Sequence, residues 1–471
     1  MRILKKILPY SILIILIPFT GIIANNDSIF PKEIELLTPA IFMLIFAFAP
    51  LFLWKLDVNL RLILLPVLFV SVTLLLYFYN QKYVLSTGQE FLKFAAVLPL
   101  YYVIGEAISF DLIYFGTPST NTFYLAAGSL LSNIIGGPAA SLLLLKPYLR
   151  ANQYRKKSIH TVIFFIIIVA NASAFISPLA NTHLYMAYLR GFPPENFIKI
   201  IPIWLVTVGS LLFIFYLTDV LFIWKEPQKE DPSKKLASAL QSGLKNEELR
   251  QSLVLKAIQY LERPTFRING AYNFWLFPVA FLVIILTTGN KSSIPYREFV
   301  LLILAIYSFI ITPVFQNKKN IAVRLFDLFF LYYFAYFIVG IIARMFIEDY
   351  PIYISNIYQA WMITGISGFM DNVASSIIIF NPEFLSRSSL DHNSFFMDLV
   401  FSDKKFKNIT AVLTGIALMG GLTYTGNYVN ILIKYEAEKM GIKMPNYFNY
   451  MLYSIPVIAL VSFIAVMFLS I

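Results

Sequence analysis

The sequence predicts an all-α polytopic membrane protein made of inverted-topology repeats, each with a re-entrant hairpin and a discontinuous helix. Three observations lead there. Hydrophobic residues make up 58% of the 471 and charged residues only 13%, about half the charged share of a soluble domain. The apolar residues gather in blocks of about 20, the helical length that crosses a ~30 Å hydrocarbon core. The order of whole and interrupted blocks occurs twice along the chain, the second set starting on the opposite side of the membrane. The short alternating segments of a membrane barrel are absent.

Whole blocks fall near 8–24, 36–54, 62–79, 92–113, 159–180, 197–224, 271–288, 298–315, 325–347, 407–434 and 449–470, giving about 11 transmembrane helices. Two further stretches, 118–147 and 355–381, carry Gly, Pro, Asn and Asp at mid-length. A straight crossing would strand polar backbone in lipid, so both read as re-entrant hairpins. Met1–Gly21 has a basic start and an apolar core but no clear small-x-small cleavage site, so it reads as an uncleaved first helix.

Basic residues mark cytoplasmic loops and orient these blocks. Arg2, Lys5 and Lys6 place the N-terminus inside, 25–35 then falls outside, and Lys55 with Arg61 returns inside. The clusters Lys146–Lys157 and 225–267 are both cytoplasmic if 118–147 turns back to its own side. Lys318, Lys319 and Arg324 are again inside, Glu348 and Asp349 outside, and the C-terminus ends outside. The organisation is an N-terminal helix and outer loop at 1–35 and a first repeat at 36–224, with hairpin 118–147 and broken helix 159–190. A cytoplasmic linker at 225–270 follows, helical-looking over 234–260, and then a second repeat at 271–471, with hairpin 355–381 and broken helix 407–436. This is a multi-pass protein of the cell inner membrane. The formal charge of +11 belongs to its cytoplasmic loops and implies no nucleic-acid partner.

The interruptions carry the functional signal. Unwound backbone inside a bilayer must line a cavity or pack on protein, and two broken spans in corresponding places mark a transport site. Four polar patches are candidates for binding an ion or substrate. The first hairpin tip holds Ser132, Asn133, Gly136 and Gly137. The first break holds Asn171, Ser173, Ser177 and Asn181. Ser367, Asp371 and Asn372 form the second hairpin tip, and Thr423, Thr425, Asn427 and Asn430 the second break. Small residues let backbone carbonyls approach an ion, hydroxyl and amide oxygens add ligands, and helix N-termini favour anions. The competing reading is that such residues only hold helices together.

Asp371 stands out, because a carboxylate at the bilayer centre costs at least ~2.5 kcal/mol. It could ligate Na⁺ or carry a proton. Glu106 and His183 are further candidate proton carriers. Asp111, Asp219 and Asp327 lie nearer span ends, where snorkelling or an interfacial pair explains them, and Arg344 reaches the interface or pairs with Glu348. The chain has no cysteine and three scattered histidines, so no disulfide, thiol chemistry or metal cluster is expected. No Ser–His, paired-Asp protease or His-rich metal motif is visible inside the membrane segments, and neither an enzyme nor a cofactor is expected beyond a transported or coupling Na⁺.

Gly116–Thr122, Leu145–Asn152, His160–Phe165, Phe369–Asn372, Thr423–Asn427 and the tail Ala437–Met451 resemble the citrate-transporter or sodium/proton-antiporter-like branch of the ion transporter superfamily. The similarity spans most of 100–470, less well through 225–350. It implies inverted repeats with a hairpin and a discontinuous helix each, a homodimer, and secondary transport by an elevator or rocking motion. The chain departs from that pattern in its first break. Relatives typically read Gly-Gly-x-Leu-Thr-Pro-Leu-Gly-Asp-Pro-Pro there; this chain has Ser173–His183, with an amide, Asn181, in place of the acid. An amide oxygen can hold a cation but carries no proton. The resulting expectation is a secondary active ion transporter, sodium/proton antiporter-like. The alternatives are a sodium-coupled carrier of small organic anions such as citrate or dicarboxylates, and a degenerate relative that transports nothing.

Overall fold

The computed structural model describes residues 57–79, 81–111, 116–152, 155, 158–224, 267–287, 296–311, 318–339, 356–380 and 403–471. The blocks 8–24 and 36–54, the loop 25–35, the stretch 234–260, the side chain of Asp111 and the Arg344–Glu348 pair lie outside them. Within these residues the fold is all-α apart from one two-stranded bridge.

Helices α1 (Val58–Tyr79) and α2 (Gln81–Ala95) open the described chain. The block expected at 92–113 begins earlier and ends sooner as helix. From α2 it passes through a π turn at Leu100–Ile104 and one short turn at Gly105–Ala107 into strand β1 (Ser109–Asp111). β1 pairs antiparallel with β2 (Arg267–Asn269), setting Phe110 across from Ile268 between polar neighbours. That alternation suits a short strand pair, and it ties the start of the second half to the end of this segment.

The first hairpin follows. Thr117 and Thr120 form a capping box with Pro118 at the first helical position of α3 (Pro118–Ile135), satisfying N–H groups that the first turn leaves open. Gly136 breaks the hairpin at φ +92°, a conformation glycine adopts without steric cost. A side chain there would also meet the Tyr101 ring and the Leu179 carbonyl. α4 (Gly137–Asn152) is the returning arm. The first broken helix comprises α5 (Ile159–Phe165), a π turn at Ile166–Ala172, unwound chain through Ala180, and α6 (Thr182–Leu189) capped by Asn181. A 3₁₀ segment, Pro194–Ile200, leads into α7 (Ile201–Trp224).

In the second half α8 (Leu276–Leu286) and α9 (Tyr296–Ile311) precede α10 (Lys318–Phe334), which also ends in a π turn, Ala335–Val339. The second hairpin is α11 (Ile357–Ile363) with a 3₁₀ turn at Thr364–Gly368, then α12 (Asn372–Ile379) capped by Asp371. The second broken helix is α13 (Asp403–Met419), unwound chain from Gly420, and α14 (Tyr428–Lys439) capped by Asn427. α15 (Tyr447–Ser470) closes the fold.

Packing partners correspond across the halves. α4 packs on α14 while α12 packs on α6, and α3 packs on the π turn of 166–172 while α11 packs on α13. α7 lies on α3 as α15 lies on α11, and α7 and α15 pack on each other. The π turn Leu100–Ile104 meets α4, and the π turn Ala335–Val339 meets α12. The two broken helices run side by side in opposite directions. Gly421 sits against Ile167 and Gly420 against Asn171, whereas α6, further along the first, packs on α13, which precedes Gly420 on the second.

Burial divides these helices into two kinds. Every residue of α5 and its π turn except Ile159 is buried. In contrast, α1, α7, α8, α9 and α15 turn large apolar side chains outward, among them Val67, Phe213, Leu282, Ile306 and Phe463. Exposed apolar faces on this scale are stable only when covered, and hydrocarbon covers them. Pro194–Phe222 and Tyr447–Ser470 are each long and apolar enough to cross a bilayer by themselves.

Candidate functional site

The breaks of the two long helices meet at Asn171, the last polar residue before the first chain unwinds. Its Nδ2 donates to Asn430 Oδ1 at 2.8 Å and to the Ile166 carbonyl at 2.8 Å, and its Oδ1 accepts from Asn427 Nδ2 at 2.9 Å. Asn430 Nδ2 in turn donates to the carbonyls of Gly420 and Thr423 at 2.7 and 2.9 Å, inside the second break. Three buried amides thus join the two halves and hold the unwound backbone that hydrocarbon would otherwise leave unpaired.

Around this crossing each hairpin tip grips its neighbouring break. In the first half Asn133 Nδ2 donates to the Ser173 carbonyl at 2.8 Å, and its Oδ1 accepts from the N–H groups of Phe175 and Ile176 at 3.1 and 3.0 Å. Ser132 and Ser173 share a hydroxyl bond of 2.9 Å, and Ser177 Oγ donates to the Asn133 carbonyl. Gly137 N–H donates to the Ala180 carbonyl at 2.6 Å. In the second half Ser367 Oγ donates to Asn372 Oδ1 at 2.8 Å, Thr423 Oγ1 to the Gly368 carbonyl at 2.6 Å, and Thr425 Oγ1 to the Phe369 carbonyl at 2.9 Å. The structure therefore gathers all four polar patches at the crossing.

Asp371 is the one carboxylate bonded into these patches among the described residues. Oδ1 accepts from Val373 N–H, capping its own helix, and Oδ2 accepts from Tyr428 N–H at the start of α14, each at 2.9 Å. An anion between two helix N-termini is held by N–H groups and by the dipoles of both helices. Each oxygen keeps a further lone-pair direction with which to ligate a cation. Asn181, the amide that caps α6, accepts from Thr182 N–H at 2.8 Å, while its Nδ2 and that of Asn372 meet no hydrogen-bond partner among the described residues. Two fully buried amide donors next to the breaks are what a cavity for an oxygen-bearing solute or water would use.

The other proton-carrier candidates lie elsewhere. Glu106 pairs with Arg324, which also reaches Glu436 Oε1 at 3.3 Å. His183 is buried on α6 against α13. Asp219 and Asp327 are paired as expected of acids near span ends, but inside the protein. Asp327 bonds Arg61; Asp219 is fully buried and meets Arg155 Nη2 at 2.5 Å, His160 Nε2 at 2.7 Å and Asn121 Nδ2 at 3.2 Å. Asn121 and Asn152 exchange amide bonds beside it. Three motifs that carry the family resemblance thus converge on one buried acid. Sequence reasoning also missed the helices that brace the breaks. Trp204 of α7 donates to the Ser173 carbonyl at 2.6 Å, and from α15 Tyr450 and Ser454 donate to the carbonyls of Gly421 and Leu422. Among the described residues no cluster of His, Asp and Glu is placed to hold a metal ion.

No curated protein matches the chain. A family model described as "putative citrate transport" matches residues 32–471, taking in both hairpins, both broken helices and the braces on α7 and α15. A membrane-embedded helical fold whose core is a crossing of two interrupted helices is the architecture of a solute carrier, and this chain is a membrane transport protein belonging to that citrate-transport family.

Proposed function

We propose that the chain is a sodium/proton antiporter-like secondary transporter of the inner membrane, with two inverted repeats whose hairpin tips and helix breaks form one ion site. The observation that carries this reading is Asp371, the one carboxylate bonded into the crossing among the described residues, with both oxygens already oriented by helix N-termini. A cation and a proton would compete for it, which is the elementary requirement of exchange. Ser367, Asn372, Thr423 and Thr425 would complete the oxygen shell, with Asn171, Asn427 and Asn430 fixing its geometry. The matching packing partners of the halves and the opposed broken helices support the repeat reading. The protein would act as a homodimer.

A second reading, sodium-coupled uptake of a small carboxylate, is favoured by the family description and by the first half. There the N-terminus of α6 carries the amide of Asn181 rather than an acid, so the cap itself sets no negative charge against a substrate carboxylate. Purified protein in liposomes separates the two. A Na⁺ pulse that moves protons out of a pH-dye-loaded lumen, and that fails in Asp371→Ala, supports exchange. Labelled citrate or succinate uptake that requires Na⁺ supports the second reading. Absence of both fluxes in folded protein removes the transport cycle altogether.

A further inference from the structure

We propose that two ion pairs at opposite ends of the crossing, Glu90–Arg190 and Arg324–Glu436, are latches that close the two sides of the site in turn. The inference rests on the reading of the protein as an alternating-access transporter. The observation behind it is the correspondence between the halves. Arg190 caps the C-terminus of α6, and its guanidinium holds Glu90 of α2 through two bonds, Nη2 to Oε2 at 2.9 Å and Nη1 to Oε1 at 3.2 Å. Glu436 lies in the last turn of α14, the partner of α6 under exchange of halves, and accepts from Arg324 Nη2 of α10 at 3.3 Å. α10 is the counterpart of α2: each of these segments ends in a π turn, and each π turn packs on the second arm of a hairpin. So the outer half of each broken helix is tied to the same element of the surrounding scaffold, with the charges exchanged.

The latches lie far from each other because the broken helices run in opposite directions. α6 leaves the crossing toward the Lys199 end, where Lys199 stands over Phe406 at the start of α13; α14 leaves it the other way. A rigid movement of the crossing relative to the scaffold that closes one end therefore opens the other. Other contacts share each end. Arg297 of α9 donates to the Tyr188 hydroxyl near Arg190, while Arg324 also bonds Glu106, and Lys439 meets Glu436 at 3.2 Å. Glu106–Arg324 lies within the scaffold, so it presets the guanidinium rather than linking the two parts. The Glu90 side chain is 46% exposed and that of Glu436 16%. Salt will therefore weaken the first latch more than the second.

The chain's lack of cysteine makes the test direct. A single cysteine replaces Ser177 or Thr425, and its reaction with a membrane-impermeant maleimide is timed in right-side-out and inverted vesicles. Glu90→Gln and Glu436→Gln are each introduced, with the swaps Glu90→Arg/Arg190→Glu and Glu106→Gln/Arg324→Glu/Glu436→Arg as restorations, the charge at Glu106 being removed in the second because Arg324 also bonds it. The two single variants should shift labelling toward opposite faces by about fivefold, the smallest ratio usual for coupled states, and each swap should bring it back. Monodisperse protein whose labelling does not shift, or shifts toward the same face in both variants, overturns the latches. Failure of the swaps to restore the ratio also overturns them. Liposomes of the unsubstituted chain that show no Na⁺, proton or carboxylate flux would overturn the transport reading separately, since the labelling is read without any solute.

Discussion

Each oxygen of Asp371 accepts from a different helix, so substitutions at this residue separate its charge from its capping. In Asp371→Asn the amide oxygen can still cap α12 through Val373, but the amide nitrogen would face Tyr428 N–H donor to donor. Leaving that buried N–H unpaired costs about 1–3 kcal/mol, which we expect as a lower thermal midpoint in detergent. The midpoint should also stop rising with added Na⁺, because a ligand of the folded state stabilises by mass action only while its site persists. A Na⁺-dependent rise equal to that of the unsubstituted chain would remove Asp371 from the ion site. Asp371 stood out as a candidate in the sequence, because an acid in an apolar stretch advertises its own cost. That of Asn133 was less so. It is one amide among many, and its bonds to Ser173, Phe175 and Ile176 join positions 40 to 43 residues apart.

At the scale of elements, the two breaks owe their shape to close backbone approaches. A Cβ on Gly426 would stand 2.6 Å from the Gly420 carbonyl oxygen and 2.8 Å from that of Ser367, with no flexible side chain to give way. Gly426→Ala should therefore displace the second hairpin tip and abolish flux. Gly209→Ala, on α7 where nothing lies within 4 Å, should leave flux intact and stabilise the helix by up to ~1 kcal/mol. Equal flux in the two variants would show that the break tolerates rearrangement. The turns at Gly136 and at 364–371 and both interruptions could be read from Gly, Pro and Asn inside apolar runs, since lipid punishes unpaired backbone wherever it occurs. The π turns and the β1–β2 bridge could not be read, because they depend on partners distant in sequence. The Asp219 cluster is similar: His160 and Asn121 lie 59 and 98 residues from it, and an acid near a helix end looks the same whether it faces water or a buried arginine. Trp204 and Tyr450 were hidden in another way, since aromatic residues on membrane helices usually mark the interface.

The whole molecule sorts its aromatic residues between lipid and core, and this can be observed directly. Trp275 at the start of the α8 segment is 75% exposed, whereas Trp204 is 6% exposed beneath the first break. In variants that retain one tryptophan, brominated acyl chains should quench Trp275 strongly and Trp204 weakly. The reverse order would place the outward apolar faces against another protein surface rather than lipid. Each half also completes the burial of its polar breaks against the other. Asn171 from one side and Asn427 with Asn430 from the other are each completed across that divide.

The short ladder between Ser109–Asp111 and Arg267–Asn269 carries this further. Two complementary fragments would recognise one another through it, as well as through the amides, without any covalent joint. Residues 1–224 and 267–471 produced as separate polypeptides from one cell should therefore copurify through an affinity tag on either piece and regain the flux of the intact chain. Replacing Phe110 and Ile268 by proline, which cannot donate to a ladder, should lower the yield of the reassembled pair more than it lowers that of the uncut protein.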